Sequence, residues 1–233
     1  MKQITIATYN IRHGADVGLD WTKLAENIAP TGADIVGIQE VDMGTNRIGG
    51  LDTMAGLLGA TGYPYGYFIP SMSFDGGRYG TAILSRHPIE GEKTMPLNAE
   101  GLEPRAFGVV TVHPTDGEPI LFLNTHLSYE NPQVQSVQFT QIARWIRDNA
   151  PDHGPVVLTG DFNTADFTAF EPLLAQGFCL VNNEEHTYHT FRTTGIAIDN
   201  IVYRSASLIP TEQGMIDSDR SDHNLLWCRF EIC

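Results

Sequence analysis

Short apolar runs separated by turn-forming residues recur along the whole chain. Runs at residues 4–9, 35–39, 80–84, 108–113, 120–126, 156–159, 198–203 and 225–231 are rich in branched and aromatic side chains and bounded by turn formers. This pattern predicts β-strands. Helical periodicity fills some of the gaps. Asp20 is placed to cap a helix through Ile28, with Trp21, Leu24, Ala25 and Ile28 on one face. Residues 53–58 form a second candidate helix. Residues 132–149 form a third, striped by Val134, Val137, Ile142, Trp145 and Ile146, and residues 166–175 a fourth. Between residues 80 and 126, strand follows strand with only turns between them. A strictly alternating βαβ sheet does not fit that order. The pattern predicts an α/β protein of the α+β type, with two mixed sheets face to face and helices outside. No repeat, linker or low-complexity tract interrupts residues 1–233, which read as one domain.

Composition narrows this picture. A chain of 233 residues buries a core without disulfides, and no apolar run approaches the length of a membrane span. Residues 2–7 alternate polar and apolar, unlike the charged and then apolar regions of a secretory signal, so a cytoplasmic location is expected. Cys179, Cys228 and Cys233 have no metal-type spacing and read as structural thiols. The net charge is −14, from 14 Lys+Arg against 28 Asp+Glu. That balance disfavours a nucleic-acid partner gripped by its phosphate backbone, without excluding a nuclease that uses a few arginines and a cation.

The candidate chemistry lies where the apolar runs end. Asn10 closes the first run in TYNIRHG, Glu40 the second in IVGIQEVD, and His126 another in LFLNTHLS. Asp161 and Asn163 follow VVLTGDFN, Asp199 lies in AIDNIVY, and Asp222 and His223 lie in SDHNLL. Any one of these has an ordinary explanation as a turn residue or a hydrogen-bonded neighbour. So many at the ends of strands are a different matter, because neighbouring strand ends converge and form clefts.

In this order TYNIRHG, IQEVD, YGTAILSR, NTHL, GDFN, IDNIVY and SDHNLL resemble the motifs of the endonuclease/exonuclease/phosphatase superfamily, the DNase I-like metal-dependent phosphoesterases. The match runs from Asn10 to His223. The resemblance implies a four-layered α/β sandwich and a metal-dependent phosphoric ester hydrolase using Mg²⁺ or Mn²⁺. It implies Glu40 as principal metal ligand, Asn10 beside it on metal or phosphate, and Asp222 completing the shell. His223 would contact the scissile phosphate, with Asp199 on its other ring nitrogen. Asp161 would orient the attacking water and Asn163 would donate to a phosphate oxygen. His126 would bind phosphate or protonate the leaving oxygen. Whether His223 or Asp161 is the base stays open at this stage.

Arg47, Arg78 and Arg105 sit in or near motif loops and are candidates for phosphate recognition. Arg86, Arg220 and Ser221 read as structural, and Trp145 as core. GTNRIGGLDT and GGRYGTAILSRHPI are most like a bacterial metal-dependent hydrolase group within the superfamily. Neither a long basic insertion nor a hydrophobic membrane hairpin is evident. The expected substrate is a small, lipid or sugar-phosphate ester. The alternatives are a DNA or RNA nuclease, or a catalytically silent binding module. His223→Ala is expected at this stage to abolish turnover with little loss of fold. Oligomeric state is not readable from the sequence.

Overall fold

In the computed structural model, which describes residues 2–115, 117–204 and 206–233, two six-stranded mixed sheets pack face to face. The first comprises β1 (Lys2–Asn10), β2 (Ile35–Met43), β3 (Tyr65–Phe74), β4 (Gly77–Ser85), β11 (Leu208–Ile216) and β12 (Leu225–Ile232), ordered β11-β12-β1-β2-β4-β3. The second comprises β5 (Ile89–Leu97), β6 (Arg105–Val112), β7 (Ile120–His126), β8 (Val156–Asp161), β9 (Phe178–Leu180) and β10 (Asp199–Arg204), ordered β5-β6-β7-β8-β10-β9. The β1–β2 and β7–β8 pairs are parallel and the others antiparallel.

Central strands are apolar throughout because both of their faces are buried. In β1, Ile4 and Ile6 enter the core between the sheets, together with Phe122 and Val157 of the second sheet. Ala7 and Tyr9 point the opposite way, against Leu24 and Ile28 of α1 (Trp21–Ile28) and Leu57 of α2 (Thr53–Thr61). On the far side, Leu123 and Leu158 pack under Phe139 and Ile142 of α3 (Pro132–Asn149). The layers therefore run helix, sheet, sheet, helix. Asp20 and Asp52 cap α1 and α2, and Asn131 caps α3 with Pro132 in its first turn. Residues 166–175 do not form one helix. A 3₁₀ turn, Phe167–Phe170, precedes the short α4, Glu171–Leu174, because Asp166 caps a tight turn that buries Phe170 before Pro172 restarts the coil. Trp145 packs edge-on against Phe107 beside the core.

Polar side chains also cross the middle of the sandwich. Asn124 donates to the carbonyls of Ile38 and Ala82 in the other sheet, at 3.0 and 2.8 Å. Its own oxygen accepts from Gln39 at 2.7 Å and Thr159 at 3.0 Å. This buried bridge fixes the two sheets in one relative position, just beneath the strand ends that carry the candidate site.

Two buried titratable groups predict behaviour in alkali. Burial pushes the Tyr9 phenol up to about 12, against the milder effect of the hydrogen bond from Asn27, and burial likewise pushes the Cys228 thiol up to about 12. Raised pKa values mean that the folded state holds these protons more tightly than the unfolded chain. Their stabilisation is complete below the ordinary thiol and phenol range and is lost as pH rises toward 12. The melting temperature is expected to fall steadily from about pH 9 upward, with a later onset in Cys228→Ala. Melts across pH 8–11 check this, and a flat profile would refute it.

Candidate active site

Three neighbouring strands of the second sheet align the centre of the site. His126 at the end of β7 is in register with Asp161 at the end of β8, and Asp161 with Asp199 at the start of β10. Residues in register across a sheet project from the same face. Their side chains therefore meet at the rim of the sandwich, all at least nine-tenths buried. The loop before β12 adds His223, whose Nδ1 lies 2.8 Å from Asp199 Oδ2. Nε2 of His223 and Nε2 of His126 lie 3.7 and 3.5 Å from the same Asp161 Oδ2.

The first sheet contributes Asn10 and Glu40. Ile38 and Val41 both pack on the outer helices, three residues apart, which strict alternation forbids. A bulge between them accommodates one extra residue, Glu40, at φ 57°. This left-handed residue turns its carboxylate into the cleft rather than toward the helices. Asn10 donates to Glu40 Oε1 at 3.2 Å and Asp161 Oδ2 at 3.0 Å, joining the two sheets' carboxylates through one amide. Its oxygen accepts from the Arg12 backbone, so Asn10 presents a donor to the carboxylates rather than a lone pair.

The turn after β8 holds Asn163, also left-handed at φ 53°. Its backbone N–H donates to Asp161 Oδ1 at 2.9 Å and its side-chain amide to the Leu127 carbonyl at 3.0 Å. Between these two residues Phe162 points away, stacking with Phe139 in the core. Ser221 supports the last loop, donating to the Asn10 carbonyl at 2.7 Å and accepting from the His223 backbone. Arg220 braces the same loop on Lys23, Asn27 and Glu26 of α1.

Protonation follows from this packing. Burial alone would raise the Glu40 carboxyl, but the neighbouring His13 ring and the Asn10 amide lead the effects that outweigh it and hold it at about 2. Burial and the Asp199 charge raise Asp161. For His223 burial opposes charging, yet Asp199 and Asp161 prevail and raise it. Burial, then the Arg105 charge, holds His126 well below the ordinary histidine value, so its ring is neutral.

These groups floor a cleft of about 560 Å³ that also receives Asp222, Asn163, Arg47 and Arg105. Arg78 is not among its lining residues. Alternation along β4 puts Arg78 and Tyr79 on opposite faces, and Tyr79 takes the cleft while Arg78 stacks on Phe68 at 5.4 Å. His223 is only 4% exposed, so the expectation that its loss would spare the fold is corrected: removal leaves Asp199 buried without its partner. Sequence reasoning missed Tyr79, Phe191, Tyr129 and His13. Phe191 lies 4.9 Å from the His223 ring, and His13 Nδ1 lies 3.7 Å from Glu40 Oε2. His13, inside TYNIRHG, and Tyr79, first in YGTAILSR, carried a visible signal; Phe191 and Tyr129 become site residues through tertiary approach alone.

Residues 7–223 match the Endonuclease/Exonuclease/phosphatase family. The chain belongs to that family. Members of the endonuclease/exonuclease/phosphatase family are hydrolytic phosphoesterases and nucleases, generally dependent on divalent metals. Among curated sequences the chain is similar to the uncharacterized protein YbhP of Escherichia coli, 35% identical over 103 residues. That alignment covers 43% of this chain and 39% of YbhP, so it spans about two fifths of that relative's length. The fold is similar to that of an endonuclease/exonuclease/phosphatase from Beutenbergia cavernae. That pair has a TM-score of 0.84 at 20% identity and covers all of this chain and 72% of the other. It is also similar to D. rerio TDP2 complexed with a single-strand DNA product, with a TM-score of 0.76, 20% identity, and coverage of 99% and 100%. Both structural likenesses concern the fold. Among the described residues no helix is long and apolar enough to cross a membrane.

Proposed function

We propose that this chain hydrolyses a phosphodiester or phosphomonoester by in-line attack of water, on a small, lipid or sugar-phosphate ester. The observation that carries the reading is the buried Asp199–His223–Asp161 line. Asp199 holds His223 through Nδ1, which leaves Nε2 facing the cleft beside Asp161. Among the described residues no serine or cysteine lines the cleft, so the nucleophile in this reading is a water oriented by Asp161.

A divalent cation fits the donor set. Glu40, Asp161 and Asp222 make the cleft anionic, and an anionic ester approaches them only when their charge is offset. Hard carboxylate oxygens suit Mg²⁺ or Mn²⁺. Asp161, Asp199 and His223 also bring ligand atoms within 4.8 Å of one another. We assign that group to proton handling, because its His223 Nδ1 and Asp199 Oδ2 are already joined. Glu40 and Asp222, with Asp161 adjoining, are the residues to hold the cation. When bound it supplies charge neutralisation at the phosphoryl oxygens.

The chain's own groups divide the remaining work. Asp161 and His223 Nε2, 3.7 Å apart, manage the proton taken from water and returned to the leaving oxygen. Neutral His126 donates a hydrogen bond to a phosphoryl oxygen, and its low basicity suits it to binding rather than proton transfer. Asn163 retains one amide hydrogen for the phosphate.

Hydrolysis of bis-p-nitrophenyl phosphate and p-nitrophenyl phosphate tests the reading, with Mg²⁺, Mn²⁺ or EDTA present. Release that needs metal and stops in EDTA is expected; no release from either ester with either metal would remove the phosphoesterase reading. Glu40→Gln is expected to weaken metal binding by at least about tenfold in calorimetry, and activity with it. Unchanged affinity would place the cation elsewhere.

A further inference from the structure

The cleft is lined by two unlike kinds of side chain, and the second kind has a chemistry of its own. Beside the carboxylate floor the cleft is lined by Met72, Phe74, Tyr79, Tyr129, Phe191 and Ile196. Eight large hydrophobic side chains are exposed among the described residues, and Phe74, Tyr129 and Ile196 all line this one cleft, at 36%, 65% and 39% exposure. Exposed apolar groups scattered over a surface need no explanation; their gathering in one place marks a binding wall.

The arginines of the same cleft decide what that wall takes. Arg47 donates through Nε and Nη2 to both oxygens of buried Asp42, at 2.5 and 2.7 Å, and lies 4.7 Å over the Phe74 ring. Arg105, itself only 3% exposed, pairs with Glu103 at 2.9 Å. Each cation is matched by a carboxylate, and each extends the wall as a flat, charge-compensated surface. Neither stands in the cleft as an unpaired cation, and of their buried nitrogens only Arg105 Nε keeps no hydrogen-bond partner. A chain of net charge −14 adds no diffuse attraction for a polyanion.

We propose that the substrate carries a single phosphate, with its other substituent an uncharged apolar group, aryl or alkyl, lying against the Phe74–Tyr129 wall. A polyphosphate or a nucleic-acid strand is disfavoured by the net charge of −14. This inference rests on the phosphoesterase reading of the cleft and adds the class of substrate.

Alkylphosphonates test it, because they share one headgroup, resist hydrolysis and differ only in the substituent. With Mg²⁺ present, binding of methyl-, 2-hydroxyethyl-, phenyl- and hexylphosphonate and of the thymidylate dinucleotide pTpT is measured by calorimetry. Competition with bis-p-nitrophenyl phosphate provides a second readout. Hexylphosphonate is expected to bind at least about tenfold tighter than methylphosphonate, from the apolar area it buries. The phenyl compound separates an aromatic from an aliphatic preference. The hexyl-to-methyl ratio should collapse toward one in Tyr129→Ser with Phe74→Ser, both exposed positions. Equal binding of the methyl, hydroxyethyl and hexyl compounds would overturn the inference. So would tighter binding of pTpT than of the hexyl compound, or a ratio untouched by the double substitution. The calorimetric ranking is read without turnover, so failure of the phosphoesterase reading would show separately, as intact binding with no ester hydrolysed.

Discussion

His223→Ala is expected to lower kcat for phosphodiester hydrolysis by about 10²–10⁴-fold, the usual contribution of a positioned acid–base group. It is also expected to cost stability. The wild-type ring sits at the cleft floor with Nδ1 2.8 Å from Asp199 and Nε2 beside Asp161. Two carboxylates in register on adjacent strands tolerate each other because this imidazolium lies between them. Without it Asp199, 1% exposed and already short of a partner at Oδ1, becomes a buried carboxylate without its cation. Breaking such a pair costs about 3–5 kcal/mol, and proton uptake by one carboxyl limits the loss. His223→Gln keeps an amide donor for Asp199 and separates the two effects. It should retain more of the melting temperature while remaining as inactive as the alanine variant. Turnover within a few-fold of wild type in His223→Gln would remove the imidazole from the chemistry.

Gly37→Ala should produce a large loss of stability for a single methyl group. A Cβ at Gly37 in β2 would lie 2.1 Å from Thr159 Oγ1 and 2.6 Å from Asn124 Oδ1, across the gap between the sheets. Neither neighbour is a free side-chain end. Thr159 and Gln39 both donate to Asn124, which in turn ties the second sheet to Ile38 and Ala82. Room for the methyl comes only by parting the sheets or breaking that bridge. Overpacking costs about 1–3 kcal/mol, and each buried polar group left unpaired costs about 1–3 kcal/mol more. A loss of about 3 kcal/mol or more corresponds to a fall of roughly 10 °C in a chain of this size. Gly59→Ala in α2 is the matched control, because nothing lies within 4 Å of its added Cβ. There alanine should be neutral or stabilising by up to about 1 kcal/mol. Equal melting temperatures for the two variants would show that the inter-sheet gap accommodates the methyl.

Strands legible in the sequence and strands that were not divide by position in the sheets. The eight anticipated runs correspond to β1, β2, β4, β6, β7, β8, β10 and β12, which are the interior strands of the two sheets. The four unanticipated strands, β3, β5, β9 and β11, are the four sheet edges. An interior strand is covered on both faces and has to be apolar, so it announces itself. In edge strands β5 and β11 only one residue of nine is buried, and β9 has only three residues. Their pairing is dictated by the neighbouring backbone rather than by their own side chains.

The same division holds at the cleft. Glu40, His126, Asp161, Asp199 and His223 were visible because polar residues interrupt runs that would otherwise be apolar, and because their motifs resemble a known family. What these residues do to one another was not visible. The raised Asp161 and His223 and the depressed His126 arise from burial and from charges brought close across strands. Arg78 shows the limit from the other direction: it stands beside a motif, yet alternation turns it away and gives its place to Tyr79. The layered class, the interior strands and the residue types of the chemistry are legible in the chain alone, because burial writes hydrophobic periodicity directly into it. The Glu40 bulge, the apolar wall and the pairing of each arginine with its own carboxylate emerge on folding, because they depend on which distant segments the two sheets bring within a few ångströms.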